Sequence, residues 1–403
     1  MKPLIIISPS DHRLGRIPSG VWALGFVSLL MDISSEMIHS LLPLFMITVL
    51  GASVTAVGVV EGLAESLALG VKVFSGTLSD YLGKRKGLAL FGYALGAMTK
   101  PLFAMATGIE MVLVARLTDR IGKGIRGAPR DALVADITPP TLRGAAFGLR
   151  QSLDTVGAFL GPLVAVALML LWADDFRAVF WVAVVPGVMA VVLLQVGVQE
   201  PESSKGHKGL NPITAKHLVR LSRAYWWVVG IGAVLTLARF SEAFLILRAQ
   251  QTGMSLASAP FVLVAMNLMY AVTAYPFGKL ADHMSHRRLL IGGLLVLIAA
   301  DIVLATAEHW SLVAVGVGFW GVHMGMTQGL LAAMIAEHAP ADLRGTAYGF
   351  FNLVSGAAML AASVVAGLLW DQWGASFTFY AGAVFCLLAI GGLLCYSVAR
   401  AAS

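Results

Sequence analysis

Apolar positions dominate this chain in long runs, and polar residues gather in the short gaps between them. Crossing a hydrocarbon core takes about 20 apolar residues in a helix. Runs of that kind fall near 20–47, 54–76, 88–107, 110–130, 143–171, 178–197, 224–250, 257–278, 289–307, 310–335, 346–369 and 374–397. An open strand edge would leave backbone groups unsatisfied in lipid, so each run is expected to be a helix. The expected fold is an all-α polytopic membrane protein with twelve transmembrane helices. One gap differs from the rest: residues 198–222 are polar and carry Lys205, Lys208, Lys216 and Arg220. This linker divides a six-helix bundle at 1–197 from a second at 223–403.

Composition agrees with that pattern. Of 403 residues 58% are hydrophobic and 12% charged, with a mean hydropathy of +0.82. A soluble domain carries roughly 25% charged residues. The 28 Lys+Arg against 22 Asp+Glu give a net charge of +6, which in a membrane protein speaks first to topology. The amino terminus, Lys84-Arg85-Lys86, the linker and Arg287-Arg288 fall on one side, while the alternate loops carry only Arg177. Both termini are therefore expected in the cytoplasm, in a multi-pass protein of the inner (cytoplasmic) membrane. No basic cluster on a water-exposed surface suggests nucleic-acid binding. Cys386 and Cys395 lie in one late apolar run without metal-ligand spacing and read as small buried hydrophobes. The run from Val21 exceeds one membrane thickness and is expected to be the first span, not a cleaved signal peptide.

The second half echoes the first at an offset of about 201 residues: GTLSDYLGKRK (76–86) returns as GKLADHMSHRR (278–288), and ADITPPTLRGAAFG (135–148) as AEHAPADLRGTAYG (336–349). Six spans per half bring both halves in from the same face, so they are parallel repeats about an axis along the membrane normal. With these motifs the whole chain resembles the major facilitator superfamily (MFS). The carrying residues are Gly76, Leu78, Asp80, Gly83, Lys84 and Arg85 in the second-to-third loop, and Arg116, Asp119, Gly122 and Gly124 in the fourth span. Asp119 stands where the family has glutamine, and Arg120 where it has a small residue. The resemblance implies that Gly76, Asp80, Gly83 and Arg85, with Asp282 and Arg287 in the second copy, gate one side of a transport path. Gly157, Gly161 and Pro162 in span five form the core of a motif that in this family leans toward antiport, although its closing glycine pair is absent. The same resemblance implies a transporter that acts as a monomer on a small-molecule substrate, and no enzyme.

Charges inside the spans cost roughly 2.5–3.5 kcal/mol each at mid-membrane and must face a cavity or one another. Asp32, Glu36 and His39 share one face of span one, and Glu61 and Glu65 lie four apart in span two. Arg116, Arg120, Lys123, Arg126 and Arg130 form a stripe along span four at ~100° per residue. Arg150 with Asp154, Arg239 with Glu242, and His323 complete the set. Two readings of the stripe stay open: Arg116, Arg120 and Lys123 pair with Asp32, Glu36 and Asp154 as a structural network, or at least one of them contacts substrate. Gly122 and Gly124 argue for close helix packing. Proton coupling needs a carboxylate whose surroundings change, and Asp32, Glu36, Glu61 and Glu242 are the candidates.

The function expected is proton-coupled secondary transport of a small organic solute, anionic or zwitterionic, by efflux. An uptake permease for an anionic metabolite or siderophore is the alternative, and a metal permease using Asp32, Glu36, His39, His323, Met324 and Met326 a further one. An intramembrane enzyme would not need the duplicated half. No nucleotide-binding motif is present, and neither a cofactor nor a resident metal is expected. The partners expected are the solute, protons and the bilayer.

Overall fold

The computed structural model describes residues 17–82, 84–200, 218, 220–281, 283–327, 329–340 and 343–401. Among these, helix is the only extended regular structure, apart from a 3-10 turn at Pro140–Leu142. Numbered from the amino end, span one is Ser19–His39 with Leu42–Thr48, span two Val54–Leu82, span three Arg85–Met105 and span four Ile109–Ile137. Span five is Arg143–Leu171, span six Phe176–Gly197, and span seven Arg223–Ala238 with Ala243–Gln251. Spans eight to twelve are Phe261–Ala281, His286–Thr306, Trp310–Thr327 with Leu330–His338, Arg344–Trp373 and Ala375–Ala401. Ten of these segments are long and apolar enough to cross a membrane. The fourth and tenth complete the set of twelve.

Three spans are broken, two of them at a proline or a glycine. Pro43 lacks an N–H and its ring clashes with the carbonyl four residues earlier, so span one pauses at Ser40 and Leu41. Span seven pauses between Ala238 and Ala243, in the corresponding part of the second half. Span ten restarts after Gly329, whose φ of +82° suits glycine and few other residues. Span four differs from expectation in length. It runs on to Ile137 because Arg130, Asp131 and Asp136 lie beyond the apolar window without ending the helix.

Within the first bundle, span one packs on spans five and six, and span four lies between spans two and three. In the second, span ten lies between spans eight and nine, and span twelve packs on seven and nine. The bundles meet chiefly where span two lies along span eleven, less extensively where span five meets span eight, and briefly where Ala243–Gln251 of span seven touches spans one and two. Glycines allow the first approach; a Cβ on Gly58 would sit 2.2 Å from the Ser363 carbonyl oxygen, and one on Gly62 3.0 Å from the Leu360 backbone. At the face opposite Lys84-Arg85-Lys86, Asp371 at the end of span eleven accepts from the backbone N–H groups of Val54 (3.2 Å) and Thr55 (2.8 Å). One carboxylate thereby caps the start of span two across the bundle boundary.

Candidate functional site

The basic stripe of span four meets its partners mostly on spans one to three. Arg116 donates to Glu61 at 2.6 Å, with both side chains under a tenth exposed. Arg120 pairs with Glu65 through Nη1 at 3.2 Å and reaches His39 through Nη2 at 3.0 Å. One of the two sequence readings paired Arg116, Arg120 and Lys123 with Asp32, Glu36 and Asp154. The structure substitutes Glu61 and Glu65, because span two packs along span four while span one touches it only briefly. Asp119 faces away from the cavity and binds the fully buried Lys100 at 2.8 Å; Lys100 also donates to Ser35 at 3.0 Å. Removing either charge would strand the other in a dry place.

Farther along the helix, the guanidinium of Arg126 lies 4.8 Å above the ring of Tyr93. Arg130 bonds Asp131 and Ser28 and approaches Asp154 at 3.8 Å. Arg150 binds Asp154 at 2.7 Å and approaches Asp131 at 3.6 Å. The small residues place these helices. A Cβ on Gly122 would sit 2.7 Å from the Gly92 carbonyl oxygen, and one on Gly161 would sit 2.5 Å from the Glu36 Cβ. Gly124 and Gly157 are as tightly held, against Val71 and Leu29, and Pro162 is buried beside them in span five.

Two connected chambers lie between the bundles. The central one, of about 310 Å³, has a charged wall from spans one, two and four: Glu36, His39, Glu61, Glu65, Arg116, Arg120 and Lys123. Its other wall carries Arg239, Glu242, Phe240, Trp320 and Met359. The second chamber, of about 410 Å³, lies toward the face of Lys84-Arg85-Lys86 and is lined by Asp32, Lys72, Arg130 and Asp154 with Asn267 and Tyr270 of span eight. Glu36, Glu65 and Lys123 line both. Most of the charges are paired, and a few are not. Among the described residues, the side chains of Lys123, Arg239, Glu242 and Asp32 make no hydrogen bond or ion pair; Lys123 and Glu242 are exposed to the cavity. Asp32 sits in the field of Asp154, Arg126, Lys123 and Arg130.

The remaining sequence candidates divide as follows. His323 does not line the cavity: it is fully buried, with Nδ1 2.8 Å from the Gly293 carbonyl oxygen on span nine. The mixed metal set that needed it beside Asp32, Glu36 and His39 is therefore not assembled, and no group of three or more metal-ligating side chains occurs among the described residues. Gly76 lies on span two with Ala128 as its neighbour, and Arg85 pairs with Asp136 and donates to the Ala132 carbonyl. Gly83, Asp282 and the side chain of Asp80 lie outside the described residues. Arg287 lines a separate cleft at the same face. Sequence reasoning missed Asp301, which is fully buried on span nine with neither carboxylate oxygen hydrogen-bonded. It also missed Asp371. A lone acid in the run LLIGGLLVLIAADIVLA was the available signal for the first.

This arrangement of two bundles around a charged central cavity is matched by what the chain is similar to. The sequence profile of the Major Facilitator Superfamily matches residues 24–247 and 231–402. The chain belongs to the major facilitator superfamily. An uncharacterised MFS-type transporter of Methanocaldococcus jannaschii is 31% identical over 391 residues, covering 96% of this chain and 95% of the relative. A multidrug resistance protein of Photorhabdus laumondii, MdtH, is 28% identical over 173 residues, which is 43% of this chain and 42% of that protein. Among solved structures, a bacterial homologue of the human lysosomal transporter Spinster, inward-facing and occupied, superposes with a TM-score of 0.78 at 15% identity, covering 94% of this chain and 96% of that one. The protein is thus a multi-pass membrane transporter of the MFS fold and not an enzyme.

Proposed function

We propose that this MFS transporter exports a small organic anion or zwitterion across the cytoplasmic membrane in exchange for protons, with both termini in the cytoplasm. The observation that carries this reading is the contrast within one cavity. Arg116 and Arg120 are held by carboxylates, whereas Lys123, Arg239 and Glu242 face the open space without a partner. A carboxylate or phosphate on the solute would bind between Lys123 and Arg239, which come from opposite bundles. A cationic group on the same molecule would face Glu242. Phe240 and Trp320 supply an apolar wall for the carbon skeleton.

With the Lys84-Arg85-Lys86 face in the cytoplasm, the chambers open inward and the Asp371 clamp closes the outer side. Solute enters past Asn267 and Tyr270, and bridging Lys123 to Arg239 draws the bundles together. Outward opening then requires spans two and eleven to part and Asp371 to release Val54 and Thr55. A proton entering from outside takes Asp32, the unpartnered carboxylate of the inner chamber, changes the charge balance around Lys123, Arg126 and Arg130, and leaves to the cytoplasm before the next solute binds. Glu36, which lines both chambers, is the next carboxylate on the path.

The test uses proteoliposomes with an imposed pH gradient and a panel of charged metabolites. Wild-type protein is expected to move an anionic or zwitterionic solute against its gradient. Asp32→Asn is expected to insert and fold normally while losing gradient-driven flux and retaining solute binding. Undiminished pH-driven flux in that variant contradicts the assignment of Asp32.

A further inference from the structure

The two bundles treat one corresponding helix start differently. Span three begins at Arg85, and both carboxylate oxygens of Glu200 accept from the backbone N–H of Lys86, its second residue, at 3.1 and 3.0 Å. An anion belonging to the chain thus sits at that N-terminus, as the exposed N–H groups and helix dipole favour. Span nine begins 201 residues later at His286, its cap Ser285 makes no side-chain cap bond, and its second residue is Arg287. At the same offset Glu200 corresponds to Ala401. Among the described residues, no carboxylate accepts from the backbone at this second helix start.

A cleft of about 1400 Å³ opens at this point between spans seven, nine, ten and twelve. It exceeds the roughly 300–1,000 Å³ typical of a small-molecule pocket. Its two levels differ in chemistry. At the basic face it carries Arg287, Arg288, His283 and His286, and the Nε of Arg287 is buried without a hydrogen bond. Among the described residues lining the cleft, one acid opposes them: Glu337, 3.9 Å from His286. Deeper in, the walls are Trp227, Ile231, Ile291 and Leu393. A cationic mouth at the level of the headgroups above an apolar trough fits one class of molecule with a phosphate attached to hydrocarbon.

We infer that this cleft is a binding site for an anionic phospholipid, its phosphodiester at Arg287, Arg288 and the start of span nine and an acyl chain along Ile231 and Ile291. The inference rests on the topology that places this face in the cytoplasm, where anionic lipid is available to a basic pocket between helices. It is independent of what the central cavity carries. Arginine's planar fork suits a phosphate, and two arginines at the membrane surface add electrostatic attraction.

The test is native mass spectrometry of delipidated protein titrated with phosphatidylglycerol, phosphatidylcholine or inorganic phosphate. Phosphatidylglycerol is expected to bind with at least about tenfold preference over phosphatidylcholine. The double variant R287Q/R288Q is expected to lose that preference. Ile291→Trp, which fills the trough and keeps every charge, is expected to weaken phosphatidylglycerol binding as well. Detergent melting of each variant without lipid separates loss of the site from loss of the fold. Equal binding of the two lipids by wild-type protein, or retention of the preference in R287Q/R288Q, overturns the proposal. So does competition by inorganic phosphate at matched concentration with Ile291→Trp unaffected, since that describes a site for free anion without a lipid trough.

Discussion

Spans four and ten occupy the same place in the two bundles, and they are built from opposite chemistries. Span four runs Ile109–Ile137 and span ten Trp310–His338 with one break, so the offset of 201 holds at both ends. At that register Arg116, Asp119, Arg120 and Lys123 fall on Val317, Trp320, Gly321 and Met324. Asp119 is held by the buried Lys100, whereas Trp320 packs on Phe240 with ring centroids 5.4 Å apart, and Phe240 in turn meets Phe244 and Phe379. One wall of the cavity is a set of salt bridges, and the other sets Arg239 and Glu242 against an aromatic cluster. The difference assigns the work. Ion pairs can exchange partners with a charged solute or a proton, while an aromatic cluster gives a wall that changes little between states. A duplicated fold has thus kept its packing register and made only one copy of this helix electrostatic.

The largest expected effect falls on the pair at the equivalent position. Asp119→Ala leaves the Lys100 ammonium unpaired in a dry site, and stability in detergent is expected to fall by about 3–5 kcal/mol. Adding Lys100→Met should restore much of the melting temperature, because the stranded charge is gone. Trp320→Ala is expected to cost a similar ~3–5 kcal/mol by opening a cavity. Removal of a partner cannot rescue it. If D119A/K100M stays as unstable as D119A, the electrostatic account of span four is wrong.

A smaller effect is expected where the two bundles touch. Asp371→Ala removes the cap on Val54 and Thr55, an interaction worth about 0.5–2 kcal/mol. Because the contact crosses between bundles, the loss should appear as a shifted equilibrium between states and not as a lower melting temperature. Distances between spin labels at the outer ends of spans two and eleven are expected to lengthen in a larger fraction of molecules. An unchanged distribution would make the clamp incidental.

Much of this was legible from the chain. Apolar runs gave the twelve spans, the repeats of GTLSDYLGKRK and LRGAAFG gave the two halves, and the 4-3-3-4 spacing gave the basic stripe. The partners of the stripe were not legible. Whether Arg116 meets Asp32 or Glu61 depends on which of spans one and two lies beside span four, and side-chain spacing within one helix carries no information on that. His323 looked like a cavity residue because it sits mid-span; the helix turns it toward Gly293. Asp371 lies just before Trp373 at a span end, where an acid looks like ordinary solvent-facing polarity. Its meaning comes from a helix start more than three hundred residues earlier in the chain.

In the proposed mechanism the charges without internal partners grip the solute, and Lys123 and Arg239 are the place to measure it. Neither holds a carboxylate in an ion pair, so Lys123→Gln and Arg239→Gln should leave the detergent melting temperature close to wild type. Each should weaken binding of the transported anion or zwitterion about tenfold or more, roughly 1.4 kcal/mol. Equilibrium binding to the purified variants, with melting temperature recorded on the same samples, decides between outcomes. Weaker binding with an intact fold is the result predicted. Unchanged affinity in both variants would contradict the claim and return the cavity's charges to a purely structural role.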